Sequence, residues 1–450
     1  MANVERLHHQ SVLKSFFQYL IPSLIGMSLL SVNIVVDGIF VGHGVGSTAL
    51  AGVNVASPVY SIILSIALLI GIGGGTIYSI ALGGREVKKA QNIFTTSFIV
   101  VTFITVMATI LSFIFIEEIG YFFGANEETL PYVIEYVRVI LVFSIFMAWE
   151  SALSIFVRND GNPFLAMVSL VTSSLLNIVL NYWMIFILGW GVTGAALATV
   201  ISIIVGLILL CTHFFKENCH LKLVKPKIQL KNIGNIFSIG FPSFLSEVGM
   251  GVFVIGYNVA IVRYAATNGL AAFSVINYLH TFMFLAFMGI GSAIQPMISF
   301  YYGAKLLEKI KELIKIAERT ALVLGTAFLI GGFYSAPYLV SIFGITSTEI
   351  TELAVIGIRL FFISYLFMGI NFIYITYFQS IGYVKPSIWL TIFRSFIVFV
   401  IMLIILPLAF GTNGVWLTLP VTEAIIMVVI VVFARRAVVG KHATAVEINQ

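Results

Sequence analysis

Long apolar runs separated by short polar segments dominate the chain, and their lengths predict its architecture. Twelve runs cover approximately 15–42, 52–82, 91–116, 130–157, 163–187, 193–215, 235–262, 273–302, 316–340, 350–380, 386–409 and 414–434. Each is long enough to cross roughly 30 Å of hydrocarbon as a helix. Barrel strands would be short and alternate apolar with polar positions, so these continuous runs predict a helical bundle. The stretch 216–231 is the longest basic, apolar-poor segment and falls near the middle. It divides the chain into a lobe over 1–215, a linker over 216–234 and a second lobe over 235–450.

The two lobes repeat one another. Shifted by 220 residues, Pro22-Ser23 falls on Pro242-Ser243, Leu50-Ala51 on Leu270-Ala271, Gly71 on Gly291 and Gly83 on Gly303. Phe123-Gly124 falls on Phe343-Gly344 and Gly194 on Gly414; with one inserted residue, Arg138 meets Arg359 and Gly161 meets Gly382. A chance offset would not hold register over so many helices and loops, so the chain reads as a duplicated six-helix unit. An even helix number gives both copies one orientation, a parallel repeat with the substrate expected between them. The fold class expected is therefore all-α and integral to the membrane, with twelve transmembrane helices in two six-helix lobes related by a parallel pseudo-two-fold.

Composition agrees with the pattern. Hydrophobic residues make up 60% of the 450 and charged ones 10%, with a mean hydropathy of +1.07, which excludes an ordinary soluble domain. The net charge of +5 matters by position. Basic residues gather in alternate loops, at Arg85, Lys88 and Lys89, at Arg158, at Lys216–Lys231, at Lys305–Arg319, at Lys385, and at Arg435, Arg436 and Lys441. The loops between carry Glu117, Glu118, Glu127, Glu128, Glu349 and Glu352. The positive-inside rule puts both termini and every basic loop in the cytoplasm of a bacterial inner-membrane protein. Charge dispersed this way makes no nucleic-acid surface. The start, MANVERLHHQ, has no small-residue cleavage site and reads as no removable signal. Cys211 and Cys219 are the only cysteines and predict neither a disulfide framework nor a zinc site. Gly71-Ile-Gly-Gly-Gly75 lies inside a span with no preceding strand, so it predicts close helix packing rather than a nucleotide loop.

Ionisable residues inside spans are costly and functional by default. The first span holds Asp37, about 8 Å below the end marked by Gly42, with Pro22 fifteen residues earlier. Asn177 and Asn181 lie one turn apart on the fifth span, with Asn181 at much the same depth as Asp37. Two amides and a carboxylate at one level can hold a small cation or a proton, or can tie helices together. In the second lobe, Glu247 and Glu423 reach mid-depth, and Arg394 lies level with Glu423. Arg394 and Glu423 read either as a structural pair or as transport residues. Glu150 lies nearer the cytoplasmic end, and its repeat partner is Asn371. With Glu247, these four are candidates for a substrate cavity.

Twelve spans, the 220-residue repeat, Pro22 followed by Asp37, and the segment VDGIFVGHGVGSTALAGVNVASPV together resemble the multidrug and toxic compound extrusion (MATE) family over roughly residues 12–437. The DinF/MepA-like bacterial branch is the most similar. The resemblance implies a cation-coupled antiporter, driven by H+ or Na+, that exports amphipathic and often cationic compounds by alternating access between two lobes. It implies a cation or proton site at Asp37 with Asn177, where Asn181 replaces the acid that family members commonly carry one turn later. It implies no cofactor beyond the coupling ion, no metal other than Na+ at Asp37, a small-molecule substrate, a bilayer setting and a monomer.

Two other readings compete. A lipid-linked precursor flippase of the same superfamily would line its cavity with several Arg or Lys, whereas Arg394 is the one basic residue near mid-depth. An intramembrane enzyme would need a catalytic motif, and no HExxH pair or GxSxG elbow stands in any span.

Overall fold

The computed structural model describes residues 6–345 and 347–434, so Arg435, Arg436 and Lys441 of the expected basic tail lie outside it. The helices are α1 (Val12–Gly44), α2 (Ser47–Gly83), α3 (Val87–Ile114), α4 (Leu130–Val142), α5 (Ser144–Asn159), α6 (Pro163–Tyr182), α7 (Gly191–Cys211) and α8 (Leu230–Gly303). After these come α9 (Leu307–Ile342), α10 (Thr348–Phe361), α11 (Tyr365–Ser380), α12 (Val384–Phe410) and α13 (Thr412–Val429). Nine helices among the described residues are long and apolar enough to cross a membrane, and α4 with α5, bent by 57°, makes a tenth. One of the nine, α8, has 74 residues and would rise about 110 Å, several times a hydrocarbon core. It is two crossings that run together across a break at Ala266 (φ 48°, ψ −148°), where the sequence predicts a connecting loop. Counting α8 twice and adding α9, the twelve expected crossings are present.

The chain forms two compact units. Among the described residues, the first runs up to Phe244 and takes in Ser299–Lys305; the second holds Leu245–Ile298 and the residues from Leu306 to 434. The first therefore includes both ends of α8, and glycine explains the fit. A Cβ on Gly73 would stand 2.0 Å from the carbonyl oxygen of Ile236, and one on Gly240 would stand 1.7 Å from that of Leu69. Only hydrogen at these two positions lets α2 and the start of α8 touch backbone to backbone. The Gly71–Gly75 run thus packs helices, as expected.

Backbone conformation records the duplication. Positive φ occurs at Gly46 and Ala266, Arg85 and Lys305, Gly124 and Gly344, Gly161 and Gly382, and Gly191 and Gly411. Each pair is separated by 220 residues, or by 221 for Gly161 and Gly382. The left-handed region is costly for any residue with a Cβ, so its reuse at Arg85 and Lys305 marks the same turn built twice.

The linker is strapped onto the first unit. The Lys227 amide donates to Asn92 Oδ1 at 2.7 Å, the Val224 amide to Thr95 Oγ1 at 3.0 Å, and the His220 amide to Asp160 Oδ2 at 3.1 Å. Asp160 also accepts from the Tyr78 hydroxyl at 2.8 Å and from His213 Nε2 at 2.7 Å. Burial opposes its charge, but the hydrogen bonds from His213, His220 and Tyr78 outweigh it and hold the carboxyl below its ordinary value.

Candidate functional site

The first unit brings Asp37, Asn177 and Asn181 together, as the sequence predicts. Asn181 Nδ2 donates to Asp37 Oδ1 at 2.5 Å and lies 3.1 Å from the Asn177 amide. Helical spacing aims both amides of α6 at α1, and Asn33, one turn before Asp37, reaches Asn177 Oδ1 at 2.6 Å. Thr199 on α7 closes the group at 3.2 Å from Asn177 Nδ2. Asn33, Asn177 and Asn181 are buried, Asp37 is half-buried, and no Lys, Arg or His pairs with Asp37 among the described residues.

The Asn177 amide faces Asp37 Oδ1 at 2.7 Å and Thr199 Oγ1 at 3.2 Å, and its two orientations suit different charge states. With nitrogen toward Asp37, the amide donates to a carboxylate while its oxygen accepts from Thr199, and it gives up the bonds that Asn33 and Asn181 make to Asn177 Oδ1 in the other orientation. With oxygen toward Asp37, two oxygens meet at hydrogen-bond distance, and only a proton on Asp37 fills that contact. The site can thus satisfy a charged or a neutral Asp37. Its amide and carboxylate oxygens are also the hard donors that a sodium ion takes.

The second unit brings together Arg394, Glu423 and Asn371. Arg394 Nη2 and Nε meet Glu423 Oε1 at 2.6 and 2.8 Å. Asn371 Nδ2 donates to Glu423 Oε2 at 2.6 Å, and the Arg394 guanidinium lies 4.5 Å from the Phe372 ring centroid. Both carboxylate oxygens are engaged and the glutamate is wholly buried. A cavity of about 40 Å³ beside the pair is lined by His280, Ser246 and Met368 among others. Glu247 stands apart: it is half-buried, lines no part of that cavity, and has no hydrogen-bond or ion-pair partner among the described residues.

Sequence reasoning missed Asn33 and Thr199. The first was visible as a polar residue one turn before Asp37 in an apolar run; the second carries no signal of its own. It also missed Asp160, whose carboxylate lies with His213 and Cys219 within 4.8 Å, a donor set of metal-binding type. The hydrogen bonds around His213 point elsewhere. Asn162 Oδ1 caps α6 by accepting from the Leu165 amide, so its nitrogen faces His213 Nδ1 at 3.1 Å. That fixes the His213 proton on Nε2, where it donates to Asp160, and the group is a hydrogen-bond cluster.

A duplicated helical bundle with a polar site sunk among apolar helices is the plan of a multi-pass membrane transporter. The MatE family model matches residues 22–183 and again 242–405, most of the chain, and the protein belongs to that family of transporters, which are not enzymes. The chain is 26% identical over 428 residues to the multidrug export protein MepA of Staphylococcus saprophyticus, covering 92% of each. It is similar to a crystal structure of a MATE transporter in complex with MaL6, with TM-score 0.92, 25% identity and coverage of 97% and 98% of the two chains. It is also similar to an outward-facing multidrug resistance MATE transporter of the MOP superfamily, with TM-score 0.91, 26% identity and coverage of 96% and 97%.

Proposed function

We propose that this protein exports amphipathic, cationic small molecules from the bacterial cytoplasm in exchange for a cation loaded at Asp37, by alternating access between its lobes. The observation that supports this most is a membrane-embedded carboxylate bonded only to amides, with no cationic partner. Such a group is free to change its charge. The proton is the favoured coupling ion, because Asn177 has an orientation for each protonation state of Asp37. One carboxylate with amide oxygens is a weaker offer to sodium, which favours several oxygen ligands with compensating charge. The termini and basic loops face the cytoplasm in this reading, and the working unit is a monomer.

Glu247, half-buried and unpartnered, is the counter-charge proposed for cationic cargo in the second lobe. Glu423, Arg394 and Asn371 support that lobe structurally. Export disfavours the flippase reading on one observation: the mid-depth arginine is neutralised by Glu423, leaving no cationic grip for a pyrophosphate headgroup there. The test is ethidium transport in proteoliposomes under imposed proton or sodium gradients. A proton gradient is expected to drive accumulation; ethidium that only equilibrates down its own gradient would contradict the proposal.

A further inference from the structure

The first unit holds an acid that the cation site does not use. Glu150, on α5, lines a cavity of about 150 Å³ together with Asn33, Ser173, Asn177, Thr199 and Ser202. Three of these six, Asn33, Asn177 and Thr199, belong to the Asp37 site, so the chamber runs from Glu150 to the amides and hydroxyl that stand between it and Asp37. That volume accommodates several water molecules, each needing about 10–15 Å³ of such space. Ser173 Oγ is buried without a hydrogen-bond partner, which a water or an ion in the chamber would supply.

The wall of the chamber has a direction. Ser169, Ser173, Asn177 and Asn181 recur every fourth residue along α6 and are all buried, a polar stripe about 18 Å long on one helix face. Its Asn181 end bonds Asp37, and its Ser169 end lies beside Glu150, which also has the Ser151 hydroxyl and the charge of Arg158 around it. On α5 a second stripe, Glu150, Ser154 and Arg158, runs on to the Arg158–Asp160 turn, and Arg158 Nη2 donates to Ser154 Oγ at 3.3 Å. The other titratable groups around the chamber among the described residues are Tyr60 of α2, which lines it, and Tyr136 of α4, which lies against Thr199, Tyr60 and Asp37.

We propose that Glu150 is a second proton station, exchanging protons with Asp37 through the chamber and passing them toward the side of the basic loops. The Asp37 carboxyl gives its O–H proton to water, the proton moves by exchange of O–H bonds along water and hydroxyls, and the Glu150 carboxylate accepts it. Asp37 ends as the carboxylate and Glu150 as the acid, so the lobe's net charge is unchanged during transfer. Moving a neutralised charge avoids exposing an ion to the hydrocarbon. This inference rests on the proton-coupled export proposed above.

The experiment compares ethidium transport driven by a proton gradient in wild type, Asp37→Asn, Glu150→Gln, Glu150→Asp and Ile203→Phe, with ethidium binding measured on the same preparations. Glu150→Gln is expected to slow transport by about tenfold or more while binding stays at the wild-type level. Glu150→Asp should recover most of the rate. Ile203→Phe, which narrows the chamber and keeps both acids, should slow transport even if Glu150→Gln does not fold. Wild-type rates in Glu150→Gln or Ile203→Phe beside an inactive Asp37→Asn overturn the second station and leave the export reading intact. A wild type driven by sodium alone, or by no gradient, overturns the coupling reading and this inference with it.

Discussion

Two carboxylates sunk among apolar helices, one in each unit, receive opposite treatment. Glu423 has a guanidinium on one oxygen and an amide on the other, at 2.6–2.8 Å, and is wholly buried. Asp37 has amides alone and stays half-buried beside a chamber. A buried acid bonded to a fixed cation is tied to it, because removing either partner strands the other in the interior. An acid with only amides has neighbours that turn to suit either state. On the function proposed above, neighbours rather than depth in the membrane separate the working acid from the structural one.

The largest effect expected is on transport. Asp37→Asn removes the group that changes charge and keeps its shape, so gradient-driven export should fall by about two orders of magnitude. Thermal stability in detergent should stay near wild type. Wild-type accumulation in this variant would place Asp37 with Glu423 as a structural residue.

Glu423→Gln should do the reverse. It leaves Arg394 buried and unpaired, costing about 3–5 kcal/mol, read as a lowered unfolding midpoint. Adding Arg394→Met should recover most of the loss, since an apolar pair of similar volume tolerates burial. A stable Glu423→Gln protein that no longer transports would give Glu423 a working role.

Asn181→Asp sharpens the comparison inside one site. It sets a second acid beside Asp37, so the pair titrates jointly and a sodium ion bridging both relieves their repulsion. Ethidium export should become several-fold more responsive to sodium. A variant indistinguishable from a wild type already driven by sodium would refute the proton preference.

Asp160 is the intermediate case, a buried carboxylate held by two histidines, a tyrosine and a backbone amide. A carboxyl below its ordinary value adds stability that is fully present above the unfolded value near about 4 and is lost as pH falls through the folded one. Linker docking should therefore not vary near neutrality. Asp160→Asn should weaken it by about 1–3 kcal/mol, seen as faster tryptic cleavage after Lys222 and Lys227. Burial, then the Asp160 charge, push the Cys219 thiol up to about 12, so maleimide labelling of Cys219 should be slow in wild type and faster in the variant. Equal labelling would detach the linker from this cluster.

The crossings were legible because each is a long apolar run, and every expected span has its helix. The join within α8 was not, since a helix running to Ala266 and one running from it read as two elements in hydropathy alone. At the site, Asp37 stood out as a charge in hydrocarbon, and Asn177 and Asn181 as a pair one turn apart. Ser169, Ser173 and Thr199 did not. Single hydroxyls are common in membrane helices, and Ser169 and Thr199 also satisfy themselves on nearby carbonyls, of Gly206 and Ala195. The Arg394–Glu423 pair was half legible, from matching depth, but its closure by Asn371 depends on three helices meeting.

The positive-φ turns recurring at 220 or 221 residues let each half serve as a ruler for the other. In that register Asn371 and Arg394 fall on Glu150 and Ser173 at a shift of 221, and Glu423 on Ile203 at 220. All three first-unit positions line the chamber. Where one copy closed its interior with an ion pair, its twin kept a hollow lined by an acid and hydroxyls. Duplication left the molecule with a built-in control experiment: one inherited scaffold, run once with an ion pair at its centre and once with a hollow in its place.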